Sequence, residues 1–196
     1  MPKIEEVFEK IGPANIISTL DLSKGYWQIP MAVDSREMTA FATPFGLFEF
    51  LVMPFGLHSA PATVQCMINK VHMGCESFVG TYLDKFAILS GSWEEHRVHL
   101  RTVLQQLRDA GLTVKLTKCQ FACTQVEYLG HIVGGREVRP DQVKVEAVLT
   151  YHKPLTKKDV RAFLGLAGYY RKFYRDGKCP YSPDQEEQAR QGSLDR

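Results

Sequence analysis

The sequence lacks any long apolar run. None of its hydrophobic stretches approaches the roughly 18 consecutive apolar residues that a membrane-spanning helix needs. The N-terminal MPKIEEVFEK also lacks the apolar stretch of a secretory signal. We therefore expect an intracellular protein, in the cytoplasm or the nucleus, without a membrane partner.

Paired cysteine patterns are missing as well. The five cysteines are odd in number and none are spaced as CxxC, so neither a disulfide framework nor a structural zinc site is predicted. Cys119 and Cys123 are four residues apart without a histidine or carboxylate pattern around them, which favours a packing role. We expect buried free thiols at Cys66, Cys75, Cys119, Cys123 and Cys179.

A strong net charge is the third absence. The 24 Lys and Arg residues nearly balance the 22 Asp and Glu residues, for a net charge of +2 over 196 residues, so bulk charge indicates no nucleic-acid partner. Locally, however, residues 136–175 hold ten basic and four acidic residues. A solvated helix surface has such a composition, but the interleaved Tyr151, Tyr169, Tyr170 and Phe173 favour a surface that lies along a phosphate backbone.

Hydrophobic periodicity predicts short strands mixed with amphipathic helices. Helices are expected over 4–11 and over 59–73, where Ser59 is the N-cap and Pro61 stands in the first turn. A third is expected over 92–110, where the apolar residues Val98, Val103, Leu104 and Leu107 keep helical spacing. Two more are expected to begin near Pro140 and at Thr156, where Asp159 completes a capping box. Strands are expected over 16–22, 38–42, 47–52, 112–116, 120–122, 125–129 and 131–134, and residues 76–90 form a hairpin with Asp84 and Lys85 at its tip. Residues 176–196 have few large apolar side chains, which predicts a disordered tail.

Two aspartates stand where strands end. Asp21 closes one predicted strand and Asp84 lies at the hairpin tip. If these strands are neighbours in a sheet, both carboxylates face one pair of divalent ions, and oxygen ligands favour magnesium. An aspartate after a strand is more often a turn or cap residue, so this pair alone does not decide the function.

The local sequences around these aspartates carry a family resemblance. LDLSKGYWQI, MPFGLHSAPATVQ, YLDK, EYLGHIV and DVRAFLGLAGYYRKF occur in this order. Together they resemble the reverse transcriptase, an RNA-directed DNA polymerase, of Ty3/gypsy-type retrotransposons with long terminal repeats, over roughly residues 2–174. The resemblance implies an α+β fold: a polymerase palm with a ferredoxin-like antiparallel sheet and helices on one face, followed by a small helical partial thumb.

The resemblance also implies domain limits. Residues 1–135 would form the palm, without the N-terminal part of the fingers, because Asp21 has only twenty residues before it. Residues 136–175 would form the partial thumb and residues 176–196 the tail. No connection or ribonuclease H segment is recognised after the thumb.

Site residues follow from the resemblance, position by position. Asp21 and Asp84 match the catalytic metal-binding aspartates, with Mg²⁺ or Mn²⁺ as cofactor. The expected partners are a primed RNA or DNA template and deoxynucleotides. The remaining matched residues are Tyr26, Phe55, Gly56 and Gln65 at the substrate and Tyr128, Leu129 and Gly130 at the primer.

One position departs from the family pattern. The fourth letter of the YxDD motif is Lys85 instead of aspartate, a change of two charge units beside the metal site, and it predicts severe impairment of catalysis. Four alternatives stay open: a residual polymerase, a non-catalytic nucleic-acid-binding module, a retroelement relic without a stable fold, and a chain that works only when a partner supplies the absent fingers. The sequence also leaves the oligomeric state open.

Two histidines receive a plainer interpretation. His96 and His99 lie on one predicted helix beside Glu94 and Glu95, where metal ligation is conceivable. The family resemblance instead makes them ordinary exposed helix residues.

Overall fold

The fold is given by a computed structural model that describes residues 4–11 and 13–170. The helices are α1 (Ile4–Ile11), α2 (Val33–Arg36), α3 (Ala60–Val71), α4 (Trp93–Asp109), α5 (Gln142–Leu149) and α6 (Lys157–Tyr169). Short 3₁₀ turns span Gly25–Gln28, Glu37–Thr39 and Leu116–Lys118. The strands are β1 (Ile16–Asp21), β2 (Phe41–Thr43), β3 (Gly46–Phe48), β4 (Val79–Tyr82), β5 (Lys85–Ser90), β6 (Gln120–Cys123), β7 (Gln125–Tyr128), β8 (His131–Gly134) and β9 (Glu137–Pro140).

A four-stranded sheet with the order β4-β5-β1-β6 forms the centre of the fold. Its neighbouring strands pair antiparallel, so β1 has a partner on both sides and five of its six residues are buried. β2 and β3 form a separate hairpin, and β7, β8 and β9 form a three-stranded sheet.

Helices α3 and α4 cover one face of the central sheet. Alternate side chains of a strand point to opposite faces, which places Leu20 and Leu22 of the β1 end on the same side as Phe86 and Ile88 of β5. These side chains join one buried apolar cluster with residues of both helices, among them Val64, Ile68, Val103 and Leu107. The antiparallel sheet with helices on one face confirms the predicted α+β class.

Helix starts follow the predicted capping chemistry in part. The Thr156 hydroxyl accepts from the Asp159 amide and the Asp159 carboxylate accepts from the Thr156 amide, so the predicted capping box is confirmed. Ser59 does occupy the N-cap position of α3, but its side chain makes no capping hydrogen bond.

Several predicted strands differ from the structure. The first half of 38–42 lies in a 3₁₀ turn, and 47–52 shrinks to the three residues of β3. Residues 112–116 make a single bridge, from Val114 to Leu22, instead of a strand. Strand β9 was not predicted. Gly134, Gly135 and Arg136 precede it, and their positive φ angles form the tight turn that returns the chain beside β8.

His96 is buried, which corrects the prediction of an exposed helix residue. It is 1% exposed and its Nε2 lies 2.7 Å from the Ser18 hydroxyl of β1, while its Nδ1 lies 3.0 Å from the Ser90 hydroxyl of β5. The reason is helical spacing: position 96 shares a face with the buried Val103 and Leu107, seven and eleven residues later. Val98 and Leu104, two of the apolar positions whose spacing predicted the helix, are exposed.

The cysteine prediction is confirmed in part. Cys66, Cys75, Cys119 and Cys123 are free thiols, but only Cys75 is buried, and Cys66 is exposed on α3. Cys179 and the predicted tail over 176–196 lie outside the described residues. No helix within 4–11 and 13–170 is both long and apolar enough to span a bilayer.

The chain divides into two compact units. The first contains the residues up to Tyr128 together with Val133–Glu137, and therefore holds the central sheet, α3 and α4. The second contains Leu129–Ile132 and the residues from Val138 onward, and therefore holds α5 and α6.

Buried histidines make stability depend on pH. Burial lowers the pKa of His96, His72 and His131, and the charge of His99 lowers that of His96 further. The unfolded chain therefore binds more protons than the folded chain below the unfolded histidine pKa of about 6.5. This stability is present above that pH and is lost as pH falls through the folded-state values.

We expect the urea midpoint of unfolding to become lower as the pH is reduced from 7.5 to 5. The free energy of unfolding decreases by up to about 1.4 kcal/mol for each unit by which folding lowers a histidine pKa. A His96→Gln variant flattens this dependence, whereas the exposed His58→Gln variant leaves it unchanged. A midpoint that stays constant over this range contradicts the expectation.

Candidate active site

The two predicted catalytic aspartates come together because of one strand register. Asp21, the last residue of β1, lies directly opposite Lys85, the first residue of β5, and is 7% exposed. The next amide, that of Leu22, donates to the Asp84 carbonyl over 2.9 Å. The end of β1 is thereby joined to the turn between β4 and β5, so Asp21 and Asp84 are neighbours at the same edge of the sheet.

A buried glutamine supports the turn that carries Asp84. Leu83 has a positive φ of 55°, which is costly for a side chain with a Cβ, and its amide donates to Gln65 Oε1 over 2.8 Å. The Gln65 amide nitrogen lies 2.9 Å from Asn69 Oδ1 and 3.1 Å from the Thr81 hydroxyl. Gln65, predicted at the substrate, is 3% exposed and directs its polar atoms at this turn.

A glycine allows Asp84 to pack against the chain after β1. A Cβ built on Gly25 would lie 2.8 Å from the Asp84 Cβ, closer than real Cβ contacts come. Gly25 is buried and opens the 3₁₀ turn that leads to Tyr26. A side chain at position 25 would therefore displace Asp84.

Two of the predicted substrate residues form an aromatic pair beside Asp84. The rings of Tyr26 and Phe55 have centroids 5.1 Å apart and are tilted by 52°. Burial, and then the charges of Asp84 and Tyr82, raise the pKa of Tyr26, so its phenol lies within electrostatic reach of the carboxylate. Phe55 is 67% exposed and Gly56 follows with a φ of 95°, which leaves an open apolar surface next to the aspartates.

Opposing charges surround Asp84. Burial raises its pKa above the ordinary aspartate value, its own backbone amide lowers it, the neighbouring Asp21 raises it, and Lys85 and Lys118 lower it. Lys118 Nζ lies 3.5 Å from Asp21 Oδ1, the one ion pair within residues 4–11 and 13–170. The site thus combines two carboxylates with two ammonium groups.

Asp21 and Asp84 supply only part of the donor set that the expected pair of divalent ions needs. A two-ion centre needs several oxygen ligands around ions 3.5–4 Å apart. Within the described part of the chain, no group of three or more His, Cys, Asp or Glu side chains is placed to hold a metal ion. Lys118 already pairs with Asp21, and Lys85 stands where a third carboxylate was expected.

Tyr128, one of the predicted primer-contacting residues, adjoins the hairpin that carries Asp84. This side chain is buried, and its hydroxyl donates to the Lys85 carbonyl over 3.1 Å. Burial, and then the charge of Asp84, raise the pKa of Tyr128. Leu129 and Gly130 follow as the two-residue turn between β7 and β8, with φ angles of 50° and 70°.

Sequence reasoning missed some residues of this arrangement. Gly25 stands inside the quoted LDLSKGYWQI motif, four residues after the predicted catalytic Asp21, and this signal was not used. Lys118 gave no signal, because it arrives through a 3₁₀ turn distant in sequence from both aspartates. Tyr169 and Tyr170 were noted only for a basic surface, yet their hydroxyls contact the turn at Leu129 and Gly130.

Comparison with known proteins finds reverse transcriptases and retrotransposon polyproteins. A family model described as Reverse transcriptase (RNA-dependent DNA polymerase) matches residues 1–133. The Retrovirus-related Pol polyprotein from transposon 297 of Drosophila melanogaster is 42% identical over 174 residues, which are 88% of this chain and 16% of that protein. The Transposon Tf2-3 polyprotein of Schizosaccharomyces pombe, of the Ty3/gypsy type, is 37% identical over 88% of this chain and 13% of its own length. The chain spans less than a fifth of the curated relatives it matches.

A solved structure shares the fold. A foamy viral protease-reverse transcriptase in complex with double-stranded DNA superposes with a TM-score of 0.74 at 25% identity. The match covers 81% of this chain and 28% of that one.

We expect Gly25→Ala to destabilise the protein by about 1–3 kcal/mol, because the added methyl overpacks against Asp84. The matched control is Gly165→Ala in α6, where a Cβ has nothing within 4 Å and the substitution is neutral or stabilises by up to about 1 kcal/mol. Chemical denaturation measures both. Equal stabilities of the Gly25→Ala and unmodified proteins contradict the packing described above.

Removing the support of the turn has a similar cost for a different reason. Gln65→Leu leaves the Leu83 amide without its acceptor, and an unsatisfied buried amide costs about 1–3 kcal/mol. Gln105→Leu on the exposed side of α4, which removes a side-chain bond to Asp109, changes stability by less than about 0.5 kcal/mol. The two free energies of unfolding are compared by denaturant titration, and the idea fails if they shift equally.

Proposed function

Because the chain belongs to the reverse transcriptase family, we propose that it binds a primed template as a polymerase palm with a partial thumb, and that Lys85 impairs its polymerase step. It is a reverse-transcriptase-like domain of the kind found in retrotransposon polyproteins. The palm is assigned to residues 1–135 and the partial thumb to 136–175, in keeping with the separate compact unit that holds α5 and α6. The observation that carries this proposal is the strand register that sets Lys85 opposite Asp21, beside Asp84.

The nucleotide would lie on the aromatic surface beside the aspartates. Tyr26 stands next to Asp84 with Phe55 against its ring, and Gly56 lets a ligand approach the backbone. A bulky ring at this place excludes a 2′-hydroxyl and so favours deoxynucleotides. Gln65 and Gly25 act by holding Asp84 in position, since both contact the turn or the aspartate itself.

Lys85 changes the electrostatics at the reacting centre. Reverse transcriptases generally use divalent metal ions, and the reaction brings the nucleotide's phosphates there as well. Two unit charges about 4 Å apart interact by about 4 kcal/mol at an effective dielectric near 20, and an ammonium in place of a carboxylate reverses the sign of one such interaction. The long lysine stem permits partial withdrawal of the charge. Since about 1.4 kcal/mol corresponds to tenfold in rate, the expected effect is severe impairment.

A non-catalytic nucleic-acid-binding module is the second candidate. It is favoured by the basic surplus of 136–175, of which seven basic and four acidic residues lie in the described part. The foamy viral relative was solved with double-stranded DNA, which supports binding of a duplex by this fold. The two candidates share the binding step and differ only in whether nucleotide addition survives.

Restoring the missing carboxylate at position 85 distinguishes an impaired polymerase from a non-catalytic binding module. We expect Lys85→Asp to raise single-nucleotide incorporation on a DNA-primed RNA template by at least about tenfold, because it removes the opposing charge. Asp21→Asn in the same background abolishes incorporation. Lys70→Asp on the exposed surface of α3 is the matched charge control and leaves incorporation unchanged.

Affinity for the primed template is measured alongside by fluorescence anisotropy at two salt concentrations. Binding by the unmodified chain that weakens with salt, as phosphate contacts require, supports the proposal. Absence of binding contradicts it. Template binding without any increase in nucleotide incorporation by Lys85→Asp favours the non-catalytic module.

A further inference from the structure

The turn between β7 and β8 adopts a conformation that its own residues do not favour. Leu129 and Gly130 have consecutive positive φ angles of 50° and 70°, as in the primed two-residue hairpin turns. Glycine and asparagine suit such positions, whereas a leucine with positive φ is strained. Contacts from elsewhere must therefore stabilise Leu129 in this geometry.

Two consecutive tyrosines supply those contacts. The Tyr169 hydroxyl donates to the Leu129 carbonyl over 2.7 Å, and the Tyr170 hydroxyl donates to the Gly130 carbonyl over 3.1 Å. Tyr169 is the last residue of α6 and Tyr170 is its C-cap. Both carbonyls of the turn are thus bound by the end of one helix.

Neighbouring groups complete the arrangement. The Leu129 carbonyl also accepts from His131 Nδ1 over 2.9 Å, and the Gly130 carbonyl accepts from the Asp141 amide over 3.2 Å. The His131 ring packs against both tyrosines, with its centroid 5.5 Å from that of Tyr169 and 5.2 Å from that of Tyr170. The two tyrosine rings meet edge to face at 5.0 Å.

Gly130 fits this arrangement for a steric reason too. A Cβ at this position would lie 3.1 Å from the Tyr170 hydroxyl oxygen, so the hydroxyl would have to give way. Leu129–Ile132 belongs to the same compact unit as α5 and α6, which is consistent with a turn held by the helices.

We propose that Tyr169 and Tyr170 are positioning residues that fix the Leu129–Gly130 turn against α6, so that the turn holds the primer's 3′ end in one place. The inference rests on the proposed function, in which this turn contacts the primer. Neither tyrosine needs to touch nucleic acid for this role. Their hydroxyls act through the two backbone carbonyls.

The test uses the full chain with Tyr169→Phe and Tyr170→Phe, singly and together. Phenylalanine keeps the ring packing and removes only the hydroxyls. Tyr151→Phe is the matched control, because its hydroxyl donates to the Asp159 carbonyl within the same unit and away from the turn. A cooperative thermal transition and an unchanged far-ultraviolet circular dichroism spectrum verify that each variant is folded, and the exposed Tyr169 provides a single variant with little effect on packing.

Hydrogen–deuterium exchange reports on the turn without any nucleic acid. Loss of both hydrogen bonds, at roughly 1 kcal/mol each, predicts about thirtyfold faster exchange for amides of residues 128–132 in the double variant. Tyr151→Phe leaves that exchange unchanged. Unchanged exchange in the double variant overturns the inference.

A fluorescent base reports on the primer. A 2-aminopurine at the primer's 3′ terminus changes its fluorescence in the double variant, whereas the same base placed well inside the duplex does not, and overall affinity stays within about threefold. Faster exchange with an unaltered 3′ signal overturns the positioning role. Failure of the unmodified chain to bind the primed template contradicts the proposed function instead, and it is recognised before any variant is compared.

Discussion

The antiparallel register between β1 and β5 is the constraint on which the site depends. It places Asp21 opposite Lys85, and the bond from the Leu22 amide to the Asp84 carbonyl then brings the second aspartate alongside. A slip of one residue would turn every side chain of β1 to the other face, removing Leu20 from the apolar cluster and placing Asp21 in it. The register is held because β1 is an interior strand, paired with β5 and β6 and covered by two helices.

Buried polar groups reinforce this register at both ends of the strand pair. At one end, Ser18 joins three elements: its hydroxyl bonds His96 of α4 and accepts the Ala122 amide of β6. At the other end, Gln65 holds the strained turn before Asp84. Such networks specify one arrangement when every group is satisfied, because an unmatched partner in a low-dielectric interior is costly. The same precision at the site makes the charge at Lys85 consequential, since the lysine is held in register and withdraws only along its own stem.

The sequence predicted what depends on local pattern. Strand and helix periodicity, the Thr156 capping box and the α+β class needed only neighbouring residues, and the ordered motifs around Asp21 and Asp84 identified the family. What depends on tertiary contact was not predicted. His96 sits in the charged stretch EEHRVHL and looked exposed, because its partner Ser18 lies 78 residues away on β1. The bond from the Leu83 amide to Gln65 joins residues 18 positions apart, and the ion pair of Lys118 with Asp21 joins residues 97 positions apart.

The most direct test of the account is an NMR titration of the Asp84 carboxyl in protein labelled with ¹³C at aspartate. If Asp21 and Asp84 share one edge of the sheet, the pKa of Asp84 lies above its ordinary value of 3.8, and Asp21→Asn lowers it, because one of the charges that raises it is gone. Lys85→Met raises the same pKa, because a stabilising cation is removed. An Asp84 titration that neither substitution moves would mean that the three groups are not neighbours, and the proposed role of Lys85 would fall with that result.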